Sequence, residues 1–255
     1  MIINCAEPIT HDAMQQFQRR FQVYNLNPNS LSSCYAMAET TFAVTQNPPG
    51  EKPLELNISY EEFSKGNIIE LTKLSNVIKR CLISSGITLP ITEVKIMSDA
   101  SHSQPLNRIG EIAIRSSSLF NGYYRHQQID RSAFYNDWYL TGDLGFLWMN
   151  KNGQQELFIC GRKKDLIIIS GENHYPQDIE NAAELTDGIR KGRSVAISGF
   201  DETLQTEKLM IAVESITDKL FKEDESELIE QIKHNIFEQL CLTTHDICIF
   251  SPGTM

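Results

Sequence analysis

The chain has 255 residues, 23 basic and 33 acidic side chains for a formal net charge of −10, and a hydrophobic content of 41%. That length and content suit a globular protein of one large or two medium domains with a real core. The acidic balance, with no Lys/Arg-rich tract, excludes a general nucleic-acid surface.

The opening Met1-Ile2-Ile3 reads as the end of a buried strand leading into a polar turn at Asn4 to Pro8. Next, THDAMQQFQRRFQVY places Met14, Phe17, Phe21 and Tyr24 at steps of three, four and three, which predicts a packing helix with Thr10 as N-cap and Arg19 and Arg20 on its solvated side. Leu31 to Val44 reads as a loop ending in a strand. From about Thr45 to Ser85 a breaker cluster, NPPGEKP, precedes a stretch without sustained period, carrying one helix around Leu71 to Cys81. TEVKIM and IGEIAIR alternate with period two and predict strands of a small antiparallel or barrel-like subdomain, and QQIDRSAF predicts a short helix. WYLTGD and GFLW continue the strands to the Asn152-Gly153 turn, the strongest hairpin signal present, and LFICG follows it.

Beyond Lys163 and Lys164, DLIIIS predicts a buried strand, and Pro176 opens a helix, PQDIENAAEL, at its favoured first position. SVAISGF and KLMIAVESI are strands. ESELIEQIKHNIFEQL sets Leu228, Ile232, Ile236 and Leu240 four apart, with Ile229 and Phe237 widening the stripe, and DICIF ends the series as a strand. The fold class is therefore mixed, α/β and α+β: a strand-rich first part and a compact α+β second part.

Two polar groups stand out from the residues alone. Asp143 lies in a tight Thr-Gly-Asp turn, where a carboxylate accepts hydrogen bonds from a ligand's hydroxyls, and Arg162 offers a rigid fork of donors after the LFICG strand. The cysteines, Cys5, Cys34, Cys81, Cys160, Cys241 and Cys248, have no paired short spacing and read as reduced core thiols. The six histidines show no ligand spacing, and His245 beside Asp246 reads as a surface pair. The N-terminus lacks a basic region followed by an apolar run, and the longest apolar block, LIII, is far too short to span a bilayer, so a soluble cytoplasmic protein is expected.

The ordered series NCAEP, YAMAETT, GEIAIRSSSLFNGYY, YLTGDLG, GRKKD, GENHYPQDIE and SPGT resembles the C-terminal part of the adenylate-forming superfamily, and GENHYPQDIE is most similar to its fatty-acyl-AMP ligases. The resemblance implies ATP/AMP and Mg²⁺ as cofactors and a fatty acid or acyl adenylate as ligand, with an acyl carrier protein as acceptor. Cys5, Ala6 and Glu7 would lie in the adenine turn, with Tyr35 against the adenine ring and Ala36 and Met37 beside it. Glu39 would hold Mg²⁺, Asp143 and Arg162 would grip the ribose, and Lys164 would be the hinge. It further implies residues 1–162 as the end of the large adenylation domain, 45–85 as an insertion typical of the AMP ligases, and 163–255 as a swinging lid.

Four departures from the family pattern accompany this. No Pro-Lys-Gly phosphate loop and no terminal Ser-Gly-Lys lysine occurs, so adenylation by the chain alone is expected to be absent or very slow. Cys5 and Ala36 stand where relatives carry Gly, each adding a Cβ near the base. The alternatives are a catalytically dead remnant serving as a binding or interaction module, or one that assembles with a separate N-terminal half, and a portion of a fatty-acyl-CoA synthetase.

Overall fold

Two units divide the chain, Met1–Lys163 and Lys164–Met255, in the computed structural model, which describes residues 1–6, 9–71, 77–99, 102–125, 133–202, 206–217 and 222–255. In the first unit, strand β1 (Ile2–Asn4) lies exposed to half-buried rather than buried. Helix α1 (His11–Phe21) starts where expected, because the Thr10 hydroxyl accepts the Ala13 amide at 3.2 Å and frees the first turn of one orphan donor. Its apolar face is covered only at Met14. Phe17 and Phe21 stack on each other at 4.6 Å, and Tyr24, beyond the helix end, is 77% exposed.

Leu31 to Ala36 is strand β2, not the loop its Ser-Ser pair predicts. Both serines are buried, and Ser32 satisfies its hydroxyl by donating to the Asn47 carbonyl at 3.1 Å. Strand β3 (Ala43–Gln46) follows, and then a small subassembly forms from β4 (Glu55–Ser59), α2 (Tyr60–Ser64) and β5 (Lys79–Ile83). It has its own core of Leu56, Ile58, Tyr60, Phe63 and Leu82, with the Arg80 guanidinium 4.1 Å above the Phe63 ring. The helix expected over Leu71 to Cys81 is corrected at its end, since 79–81 are strand; residues 72–76 lie outside the described residues.

The remaining strands are β6 (Ile87–Thr88), β7 (Thr92–Met97), β8 (Gly110–Ser116), β9 (Phe134–Tyr135), β10 (Trp138–Met149) and β11 (Gln155–Arg162). The helix expected for QQIDRSAF falls outside the described residues except at Ala133 and Phe134, and Phe134 opens β9. One nine-stranded sheet runs β1-β2-β3-β6-β11-β10-β8-β7, with β9 on β10. The β10–β11 hairpin closes as its sequence predicts: the Asn150 side chain accepts the amides of Asn152 and Gln154, each at 2.9 Å, and Gly153 takes φ +75°. Phe146 and Phe158, facing each other on β10 and β11, stack at 4.9 Å with planes 5° apart, and both are fully buried.

The second unit opens with a short hairpin, β12 (Ile167–Ile169) and β13 (Glu172–His174). The expected buried strand is thus only three residues long and buried at Ile167, while Ile168 is 48% exposed. Helix α3 (Pro176–Ala183) carries Pro at its first position, as read. It packs with α4 (Lys222–Leu240) beside a sheet in which β14 (Ile189–Asp201) pairs antiparallel with β15 (Thr206–Ser215), and β15 pairs parallel with β16 (Asp246–Phe250). Ile232, Ile236 and Leu240 form the buried stripe of α4; Phe237 does not widen it, being 54% exposed.

Glu214 is fully buried on β15, yet its carboxylate accepts the Met255 amide at 3.1 Å and the Arg190 guanidinium at 2.8 Å. Those backbone donors first, and then Arg190, hold its carboxyl below the usual range. Of the six thiols, Cys34 and Cys160 are buried, but Cys241 and Cys248 are exposed, which corrects their reading as core residues. No described helix is long and apolar enough to cross a membrane.

Candidate functional site

Asp143 is inside β10 rather than in a turn between segments. The ladder to β8 loses register between Leu140 and Leu144, and that to β11 between Leu144 and Gly145, so the strand bulges at Thr141-Gly142-Asp143. Gly142 takes φ +75°, which a Cβ would disfavour. Neighbours hold the bulge open. The Thr141 hydroxyl donates to the Ile112 carbonyl at 2.9 Å and accepts the Asp143 amide at 3.1 Å. Glu111 on β8 accepts the Gly142 amide at 3.2 Å with one oxygen and the Lys163 ammonium at 2.8 Å with the other.

The bulge aims Asp143 at two partners from distant parts of the chain. The Tyr35 hydroxyl, at the end of β2, donates to Asp143 Oδ2 at 2.5 Å. Arg162, its register partner on β11, brings Nε to 3.4 Å from Oδ1 and keeps most of its guanidinium exposed. Three residues singled out from the sequence thus converge. Tyr35 arrives differently from its expected role: it is only 9% exposed and belongs to a core cluster with Val44, Ile112, Ile114, Leu147 and Leu157. Its hydroxyl, more than its ring face, is what reaches the site.

A second acidic group sits nearby on the same strand's extension. Glu39 lies in the short 3-10 turn Ala38–Thr40, half-buried, and accepts the Tyr123 hydroxyl at 2.6 Å. The Phe120 amide donates to the Glu39 carbonyl at 2.8 Å, so the segment before Tyr123 is docked on that turn. Phe120 in turn meets Tyr123 and Tyr139 edge-on at 4.9 and 5.6 Å. Tyr139 lies in the electrostatic reach of Tyr123, Glu39 and Asp143, which places it between the two carboxylates.

These contacts raise the phenols. Burial, then the charge of Asp143 and the bond to it, pushes Tyr35 well above the ordinary phenol value; burial, then the proximity of Tyr123, does the same for Tyr139. A folded value above the unfolded one means that the contribution to stability is fully present below about pH 10 and is lost as pH rises beyond it. In alkaline titrations followed by tryptophan fluorescence, the first unit is therefore expected to lose stability above about pH 10. Tyr35→Phe should make that decline shallower, although it costs about 1 kcal/mol at neutral pH through the lost hydrogen bond. An unchanged slope would contradict this account.

The other expected positions are less concentrated. Cys5 is half-buried just after β1, and Ala6 is exposed in the left-handed region at φ +76°, so the strain in this turn falls on Ala6 rather than on Cys5. Glu7 lies outside the described residues. Ala36 pairs with Ala43 at an irregularity in the β2–β3 ladder, and the Met37 amide is taken up by the Phe42 carbonyl at 2.8 Å. Lys164 is exposed in the 3-10 turn Lys163–Asp165 and is the first residue of the second unit. No trio of His, Cys, Asp and Glu donors gathers around Glu39 among the described residues.

The sequence reading passed over Glu111, Lys163, Tyr123 and Tyr139. Both tyrosines stand in quoted motifs, Tyr123 in the middle of GYY and Tyr139 opening YLTGDLG, but only the fold shows that both rings meet Phe120.

The family model for AMP-binding enzymes matches residues 1–124. The 4-hydroxyphenylalkanoate adenylyltransferase of Mycobacterium tuberculosis is 27% identical over the whole of this chain and 42% of its own length. The medium-chain-fatty-acid–[acyl-carrier-protein] ligase JamA of Moorena producens is 28% identical over 99% of this chain and 43% of its own. A solved structure from work on fatty acyl-adenylate ligases of E. coli and L. pneumophila superposes with a TM-score of 0.84 at 26% identity, over 99% of this chain and 43% of that one. The chain spans less than half the length of each of these relatives. The first 124 residues thus match the model for AMP-binding enzymes, and the whole chain is similar in sequence and fold to part of the fatty-acyl-adenylate ligases.

Proposed function

We propose that this chain forms part of a fatty-acyl-AMP ligase, which joins a fatty acid to ATP, releases pyrophosphate and passes the acyl adenylate to a carrier protein. The observation that carries the reading is the convergence of Tyr35 and Arg162 on Asp143. A carboxylate accepts several hydrogen bonds, and ribose hydroxyls are the donors that this reading brings to Asp143. Arg162, with its Nε 3.4 Å from Asp143 and most of its guanidinium exposed, can also reach a ligand oxygen itself. On this reading Cys5, Ala6, Glu7, Ala36 and Met37 border the adenine, and Tyr35 lends it a ring edge while orienting Asp143. Glu39 would hold Mg²⁺ beside the phosphates, the ion supplying charge neutralisation there when bound.

The same reading makes residues 1–162 the end of the large adenylation domain, with 45–85 as its inserted segment, and 163–255 the lid that turns about Lys164. Carrier protein is favoured over coenzyme A as acceptor by that insertion and by the named activity of JamA.

Calorimetric titration with a non-hydrolysable acyl-AMP analogue and Mg²⁺ tests the reading. Micromolar binding is expected, weakened in Asp143→Ala by about 10- to 150-fold, the equivalent of hydrogen bonds to a charged group at about 1.5–3 kcal/mol. Binding that is absent, or equal in the two proteins, would overturn it.

A further inference from the structure

We propose that His11, Glu55 and Cys81 form a divalent-cation site of the kind zinc occupies, fastening helix α1 to the β4–β5 pair. The three residues come from separate elements: the first position of α1, the first of β4, and the middle of β5. Their donor atoms, an imidazole nitrogen, a carboxylate oxygen and a thiol sulfur, all lie within 4.8 Å of one another. In a tetrahedral zinc site with bonds of about 2.0–2.3 Å, neighbouring donors stand roughly 3.3–3.6 Å apart. His11 Nδ1 and Glu55 Oε2, at 3.2 Å, are already at that spacing, and the Cys81 sulfur lies within 4.8 Å of both.

His11 Nδ1 supplies an independent reason to place an ion here. The atom is buried and makes no hydrogen bond among the described residues, despite the nearby carboxylate. A buried nitrogen left without a hydrogen bond is destabilising, and a cation accepting its lone pair would relieve it. The donor set selects the ion's class: nitrogen and sulfur disfavour Mg²⁺ and Ca²⁺ and suit Zn²⁺ or another first-row metal. A depression of about 230 Å³ lined by His11, Asp12, Gln15, Gln16 and Arg19 lies on the helix side of the imidazole. Three protein ligands with water in the fourth place would complete the site. Since the donors are far apart in the chain, no spacing motif announces them. The site also stands apart from Asp143 and Glu39, so its fate does not depend on the reading of those residues.

The test uses the whole 255-residue chain, stripped of metal and titrated with Zn²⁺ and, separately, Co²⁺. One equivalent should bind, Co²⁺ should show a thiolate-to-metal charge-transfer band, and Zn²⁺ should raise the melting temperature. Cys81→Ser should abolish the band. His11→Ala and Glu55→Gln should weaken zinc binding by more than the roughly 10- to 100-fold lost when only a ligand's orienting partner is removed. Glu55 is half-exposed at the rim, so Glu55→Gln should fold normally and give a clean readout. Cys241→Ser with Cys248→Ser should leave binding intact, because those exposed thiols lie elsewhere. Equal zinc affinity in all variants, or Co²⁺ bound without the thiolate band, would overturn the proposal.

Discussion

Phe158→Ala is expected to destabilise the first unit by about 3–5 kcal/mol, the usual range for emptying a fully buried aromatic site. Phe158 is fully buried and stacks on Phe146 at 4.9 Å across the two longest paired strands of the sheet. Removing one ring takes away its own transfer energy and leaves the other facing a void that β10 and β11 cannot close without disturbing the bulge at Asp143. The readout is convenient. Both tryptophans of the chain, Trp138 and Trp148, lie on β10, so fluorescence-detected denaturation follows this unit alone. A loss below about 1 kcal/mol would show that the stacked pair is not central to the core.

Gly86→Ala should have an effect of similar size for a different reason. A Cβ on Gly86 would stand 2.0 Å from the Gln46 carbonyl carbon and 2.1 Å from the Asn47 nitrogen, and the residue already sits at φ +89°. Those neighbours are backbone and cannot swing aside. The surroundings explain the closeness: the Ser85 amide donates to the Leu157 carbonyl at 2.7 Å, the Gly86 carbonyl accepts the Leu157 amide at 3.0 Å, and the Thr45 hydroxyl donates to the Ser85 carbonyl at 2.8 Å. The chain is threaded between β3 and β11 with no room left. At least about 3 kcal/mol of destabilisation is expected, combining the left-handed conformation with the clash. Gly66→Ala is the control: it has φ +83° but nothing within 4 Å of the added Cβ, so it should cost only the roughly 1–2 kcal/mol of the backbone conformation. Equal losses in the two variants would remove the clash from the argument.

What the sequence made legible follows from which forces are local. Helices α1 and α4 were readable because a 3.6-residue stripe and an N-cap hydroxyl are written in consecutive residues, and the Asn152-Gly153 turn for the same reason. Strand β2 was not, because its serines look solvent-facing until Asn47 is seen to accept the Ser32 hydroxyl. Asp143 and Arg162 were found as residues, but the bulge that joins them depends on Glu111 and Ile112 across the sheet. Tyr123 acquired meaning only when its hydroxyl met Glu39 and its ring met Phe120 beside Tyr139, and the His11–Glu55–Cys81 cluster is assembled from three elements with no shared spacing. Burial misled in one direction. Phe21, Tyr24 and Phe237 match a buried stripe in pattern, yet all three are exposed.

Strand β6 has only two residues, yet it alone connects β3 to β11 in the sheet. Thr88 and Ile87 pair with Thr45 and Gln46 on one side, and Ile87 pairs with Glu156 on the other. Both pairings span long stretches of chain, so each closes a large loop before any contact repays the lost entropy. The β10–β11 hairpin, by contrast, closes locally. Order of assembly follows: the hairpin forms early and the β3–β6–β11 junction last, which makes closing that junction the slow step in refolding.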